Sequence, residues 1–237
     1  MGGCTASHNK GGPYFRRRAV PTDPQSSFQS VVRQAFGDLS QEFVNNLTAG
    51  ERAGWDTYAQ NVSWTDVLGQ SIQLSGINHF IRSNTPRLQN EFYRDAGLTG
   101  FEQTTAVVEA APTTYDLGQT PVLGQATCTV GAGPVVTLTL PNLTPVPVTT
   151  DAGMIVVGPP QNASISFFKG PYLLVASAVG DDSAWTVVLS SAAANPYASR
   201  YALPVVGQRI FGQVRFSKAD GRLSVATPFT CLVTAAA

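Results

Sequence analysis

The chain has little charge. Asp, Glu, Lys and Arg make up 13% of its 237 residues, against roughly 25% in ordinary soluble domains. Fifteen basic residues balance fifteen acidic ones, so no global field is left to gather nucleic acid or an anionic membrane. Histidine is almost missing. His8 and His79 are the two present, neither has Cys, Asp or Glu at metal-ligand spacing, and no metal or cofactor is expected. Cysteine is scarce and odd in number: Cys4, Cys128 and Cys231 allow at most one internal pair, and reduced, inert thiols are the expectation. Apolar runs are short of the roughly 18 residues that span a bilayer. The first residues also lack the apolar stretch of a secretory leader. Both point to a chain that begins in a cytoplasm, where the Asn-x-Ser/Thr triplets at Asn46, Asn61, Asn142 and Asn162 carry no sugar. Met1-Gly2 lacks the Ser or Thr that myristoylation asks for, since position 6 is Ala6.

The motifs of common chemistries are missing as well. There is no G-x-S-x-G elbow, no Walker loop and no dinucleotide fingerprint. Asp181 and Asp182 stand in a Gly-Asp-Asp-Ser setting that favours capping a turn over acid–base work. Trp55, Tyr58 and Trp64 invite comparison with a sugar platform, but Trp55 and Tyr58 fall on the buried stripe of a helix and belong to a core. An enzyme is not expected.

What the chain does have is 22 glycines and 16 prolines, the mark of a turn-rich protein, and enough length for one large or two modest domains. Residues 1–22 contain Lys10, Arg16, Arg17, Arg18, four glycines and no acidic residue. Ordering such a segment costs roughly 1–2 kcal/mol of backbone entropy per residue. An extended basic arm is therefore expected, held by another surface through Tyr14, Phe15, Arg16, Arg17, Arg18 and Val20. Consecutive arginines on an extended segment point to alternate sides, so at most two address one surface. That number suits protein docking better than phosphate binding, which recruits more cations.

A helical region follows over 23–89. Asp23-Pro24 sets an N-cap with proline at the first helical position, and Phe28, Val31, Val32, Ala35, Phe36 and Leu39 recur as one apolar stripe. Thr48-Ala49-Gly50-Glu51 is a capping box ahead of a second stripe of Trp55, Tyr58, Ala59 and Val62. Ser75-Gly76 opens a third, shorter helix with Ile77, Phe80 and Ile81 on one face, stopped by Pro86. Residues 90–119 carry few periodic apolar positions and are expected to be a connector.

From residue 120 the period changes to alternation. Strands are predicted over 135–140, 154–157, 163–168, 172–178, 185–189, 208–217 and 223–234. Turn signals separate them, at Gly133-Pro134, Gly158-Pro159-Pro160, Gly170-Pro171 and Gly180-Asp181-Asp182. The Asp-Gly of Lys218-Ala219-Asp220-Gly221-Arg222 supplies a tight hairpin. The expected fold class is thus α+β, mainly β: an arm and small helical domain, then an antiparallel β-sandwich over 120–237.

The first half resembles a structural-protein family of phages and prophages. The residues that carry the likeness are Tyr14, Phe15, Arg16, Arg18 and Val20-Pro21, then Pro24-Gln25, Leu47-Thr48 with Glu51-Arg52 and Trp55, and Ser75-Gly76 with Phe80 and Asn84. The second half resembles an immunoglobulin or fibronectin type III sandwich, with Gln208-Arg209-Ile210-Phe211 on a late strand and Ala219 to Ser224 in the last hairpin. No antibody-type cysteine pair surrounds Trp185. These motifs are structural and transfer no catalytic residue. The resemblance implies a virion component of a tailed bacteriophage, an accessory, decoration or minor head protein. Its partners would be capsid or tail subunits and copies of itself, with no specific nucleic acid and no membrane. The alternative it allows is a tail, baseplate or fibre-associated protein whose sandwich binds host glycans.

Overall fold

The computed structural model describes residues 4–9, 12–17, 27–65, 69–95, 97, 107–131, 133, 135–144, 152–178, 184–190 and 196–236. The chain divides into two compact units, 1–30 and 31–237. In the first, β1 (Cys4–Asn9) and β2 (Gly12–Arg17) form an antiparallel hairpin. Gly12 has φ +109°, a conformation that L side chains rarely adopt. The segment expected to be a lone extended arm thus spends one of its two hydrogen-bonding edges on itself.

Helix α1 (Ser27–Gln41) runs on into a π-helical turn at Glu42–Asn46, closed by a Leu47 N–H to Glu42 carbonyl bond of 3.1 Å. Of the predicted stripe, Ala35 and Leu39 are buried while Val32 and Phe36 are exposed; Asp23-Pro24 lies outside the described residues. The capping box is present: the Thr48 hydroxyl accepts from Glu51 N–H, the Glu51 carboxylate accepts from Thr48 N–H, and α2 (Ala49–Asn61) starts there. The Thr48 hydroxyl also donates to the Glu51 carboxylate at 2.7 Å, and that bond, then the one from Thr48 N–H, holds the Glu51 carboxyl below its ordinary pKa.

A short ribbon of β3 (Trp64–Thr65) and β4 (Ser71–Ile72) leads to α3 (Gly76–Asp95). This helix does not stop at Pro86 but passes through it. The turn before the proline is held by side chains, with Asn84 Nδ2 donating to the Phe80 carbonyl at 3.1 Å and Thr85 Oγ1 to the Ile81 carbonyl at 2.6 Å. Leu39, Phe43, Leu47, Trp55, Tyr58, Val62, Phe80 and Ile81 form the helical core.

The stretch expected to be a connector is part of that core where it is described. Val107, Ala111 and Leu117 pack on it. Trp55 Nε1 donates to the Glu109 carbonyl at 2.7 Å, Tyr58 OH to the Asp116 carbonyl at 2.6 Å, and Asn84 exchanges two bonds with the Val108 backbone. Burying those aromatics required polar partners for their N–H and O–H groups, and this weakly periodic segment provides them. α2, α3 and all the strands after β2 fall within the one compact unit 31–237.

The remaining strands are β5 (Thr127–Val130), β6 (Val136–Leu140), β7 (Ala152–Val157), β8 (Gln161–Asn162), β9 (Leu173–Ala178), β10 (Trp185–Val188), β11 (Gln208–Ser217) and β12 (Thr227–Ala235). Residues 163–168, predicted as a strand, form a turn and loop instead. A one-turn helix, α4 (Tyr197–Arg200), precedes β11. The strands make one continuous sheet in the order β10-β6-β5-β12-β11-β7-β9, with β8 also on β11. Its ends β10 and β9 touch, so the sheet is nearly closed.

The sheet is mixed, which corrects the all-antiparallel expectation: β5 and β12 pair in parallel, Cys128 opposite Val233. Parallel neighbours need a long crossover, and here nearly the whole β part lies between them. Inside are Leu138, Leu140, Ile155, Trp185, Val214 and Phe216, among others. Gly153 is required by that core, because the Trp185 ring occupies the space a Cβ would take. Cys128 and Cys231 are both buried and free, and Cys4 is exposed and free.

Candidate functional site

The residues singled out in the arm fall on β2 or beyond it. Phe15 is 80% exposed and Tyr14 is half as exposed. They stand opposite Ala6 and Ser7 of β1 and, being adjacent on a strand, face opposite sides. A single partner surface therefore meets one of the two rings, not both. Arg16 and Arg17 have their backbones in β2, opposite Thr5 and Cys4. Their side chains, and the whole of Arg18 and Val20, lie outside the described residues.

A second arrangement sits where α3 crosses the outer face of β11, and its arginines are residues the sequence did not flag. Arg87 is 2% exposed. Its Nε donates to Ser217 Oγ at 2.8 Å and its Nη2 to the Lys218 carbonyl at 2.7 Å. Ser217 Oγ in turn donates to the Ser83 carbonyl at 3.2 Å. These bonds clamp helix to strand.

One turn earlier on α3, the Arg82 guanidinium lies 4.1 Å from the centroid of the Trp64 ring, a cation–π contact. Arg82 Nη2 donates to the Leu223 carbonyl at 3.3 Å, and its Nη1 is buried without a partner. Burial, then the nearby charge of Arg215, pulls the Arg82 pKa down to about 10. Burial also lowers that of Arg215.

His79, a turn before Arg82, is 0% exposed and both its ring nitrogens lack partners. It meets the Tyr58 ring edge-on at 5.1 Å. Burial, with the Arg82 charge as a smaller cause, pushes its pKa down to about 4, so it is neutral at pH 7. The carboxylates of this region, Asp116 and Asp220, are both engaged by Arg222, at 2.5 and 2.8 Å.

A third feature is a hollow of about 450 Å³ on the outer face of β11 and β12, lined by aromatic Phe167, Phe168, Tyr172, Phe211 and Phe229 with Lys169, Gln213 and Thr230 at its polar points. Phe168 and Tyr172 meet edge-on at 5.6 Å, and Tyr172 OH donates to the Phe168 carbonyl at 2.7 Å. Phe167 is 73% exposed. Trp55 and Tyr58, by contrast, are sealed in the helical core and offer no platform.

Among the described residues, no group of three or more His, Cys, Asp or Glu is placed to hold a metal, and no helix is long and apolar enough to cross a membrane. Cys128 and Cys231 share a thiol hydrogen bond which, with burial, pushes the Cys231 pKa up.

Compared with protein-family models and with curated proteins, the chain matches none. The likeness to phage structural proteins therefore rests on the residues quoted for it. The arginines at the α3–β11 crossing were hidden because Arg209, Gln213 and Arg215 alternate with apolar residues along β11 and so imitate a solvent face. The usable signal was Ser217, a small residue ending that polar row where a helix can come close.

Proposed function

We propose that this chain is a non-enzymatic structural subunit of a tailed-phage particle, an accessory, decoration or minor head protein. It docks through its N-terminal hairpin on capsid or tail subunits or on copies of itself. The observation that carries this reading is the 80% exposed Phe15 on a two-stranded hairpin that forms a unit of its own with the start of α1. Such a hairpin is marginal alone; among the described residues β2 pairs with β1 alone, and adding a partner strand to its other edge is the mode in which main-chain bonds give affinity and a side-chain pocket gives specificity. The exposed Val32 and Phe36 of α1 add a second apolar contact.

We read the curled sheet as a sandwich of the immunoglobulin or fibronectin type III kind. Taking β5 as the first strand, β10-β6-β5 corresponds to E-B-A and β12-β11-β7-β9 to G-F-C-C′ of that fold. The parallel β5–β12 pair joins the two halves.

Particles purified from producing cells test the docking. The full chain should sediment with the particle, and a chain lacking residues 1–22 should be lost from it while keeping the circular dichroism of the body. Phe15→Asp should weaken incorporation at least about tenfold, the cost of losing a buried aromatic anchor. Normal incorporation of the shortened chain overturns the proposal.

The aromatic hollow favours a second reading, a tail or fibre-associated protein that binds host glycans. Sugar rings stack on exposed aromatic faces, and Gln213, Thr230 and Lys169 are placed to meet hydroxyl groups. A glycan array probed with the full chain and with Phe167→Ser decides it: binding lost in the variant supports the glycan role, and no binding by the full chain removes it.

A further inference from the structure

We propose that Arg82 and Arg215 form a binding site for a phosphate group carrying close to two negative charges. The two arginines are brought together by the α3–β11 crossing. Ser83, the residue after Arg82, accepts a hydrogen bond from Ser217, and Arg215 precedes Ser217 by two positions on the same face of β11.

Neither guanidinium is neutralised. Among the described residues no carboxylate is paired with Arg82 or Arg215, and Asp116 and Asp220 are already taken by Arg222. Arg82 is held in place by the Trp64 ring on one side and the Leu223 carbonyl on another, yet its Nη1 is buried with nothing to donate to. A buried donor without an acceptor costs free energy, more so when charged, and two like charges in a half-buried setting repel strongly. An arrangement that retains both is one that an anion completes.

The charge count selects the anion. Two uncompensated positive charges call for a dianion, and a phosphate monoester or inorganic phosphate carries about 1.5 to 2 negative charges at pH 7, whereas a carboxylate or an internal nucleic-acid phosphate carries one. Guanidinium forks also match phosphate oxygens bidentately. The site is separate from the docking hairpin and stands or falls without it.

Titration calorimetry on the full chain tests the site, with inorganic phosphate in one arm and glycerol phosphate in a second. Sodium acetate and sodium chloride at matched ionic strength serve as controls. Saturable binding of phosphate, lowered about tenfold or more in Arg215→Gln and in Arg82→Gln, is the expected result. Binding of glycerol phosphate but not of the inorganic ion also supports it, and names a monoester as the ligand. If Arg82→Gln fails to fold, Arg215→Gln decides alone. No saturable binding in either arm, equal binding by Arg215→Gln, or acetate binding as tightly as phosphate each overturns the proposal.

Discussion

Lowering the pH from 7 to 5 should destabilise this protein through one side chain. His79 is fully buried, touches Tyr58, has no hydrogen-bond partner and has its pKa pushed down from 6.5 to about 4, chiefly by burial. The sign follows from proton linkage. A base whose folded pKa lies below its unfolded value binds its proton first in the unfolded chain. Its neutral form therefore costs nothing above about pH 6.5, and stability falls as the pH drops from there toward 4. At ~1.36 kcal/mol per pH unit, the part of that window between pH 7 and pH 5 amounts to about 2 kcal/mol. Urea unfolding at the two pH values measures it, and His79→Phe supplies the reference because it keeps a ring against Tyr58 and has no proton to bind. Subtracting the two removes carboxylates such as Glu51, whose pKa is also lowered but which titrates further into acid. The wild-type chain should lose about 2 kcal/mol more than the variant over this interval. Equal losses would show that His79 is solvated or paired in solution, and the packing described around it would be wrong.

Two substitutions probe the other constraints. Gly153→Ala places a methyl group where the Trp185 ring lies, in a core with no room to give. It should cost about 3 kcal/mol or more, read as a drop in urea midpoint with loss of the near-ultraviolet signal of Trp185; an unchanged midpoint would mean that the Trp185 ring of β10 does not lie over Gly153 of β7 as described. Arg87→Leu removes the buried donor to Ser217 Oγ and one of the donors to the Lys218 carbonyl, which keeps Gly221 N–H, and should cost about 3 kcal/mol. Arg87→Lys, which can restore one bond, should recover part of this in thermal unfolding, and a fully stable Arg87→Leu would refute the clamp.

The fold was legible wherever neighbours in sequence settle the outcome. The capping box is such a case, since Thr48 and Glu51 satisfy each other's backbone donors whatever the rest of the chain does. Val136 to Leu140 and Gln208 to Ser217 are others, because alternation marks a half-buried strand before any partner is known. Pro86 misled for a physical reason: a proline removes one N–H and crowds one carbonyl. Asn84 and Thr85 bond into the preceding turn, and a rule about single residues does not count such compensation.

What stayed hidden depends on partners distant in sequence. Segment 107–117 looked like a connector because its apolar residues follow neither a helical nor a strand period, yet it is the acceptor surface for Trp55, Tyr58 and Asn84. Its value lies in carbonyls, which every residue carries and no composition reveals. The same holds for the arginines. Nothing in the sequence marks Arg82, Arg87 and Arg215 until α3 is laid across β11, where one of the three bonds to carbonyls and a hydroxyl while another keeps a buried, unused donor. Bonds to the β11 end account for the first. They leave the second unexplained, and a buried charged donor without an acceptor is a better guide to function than any motif along this chain.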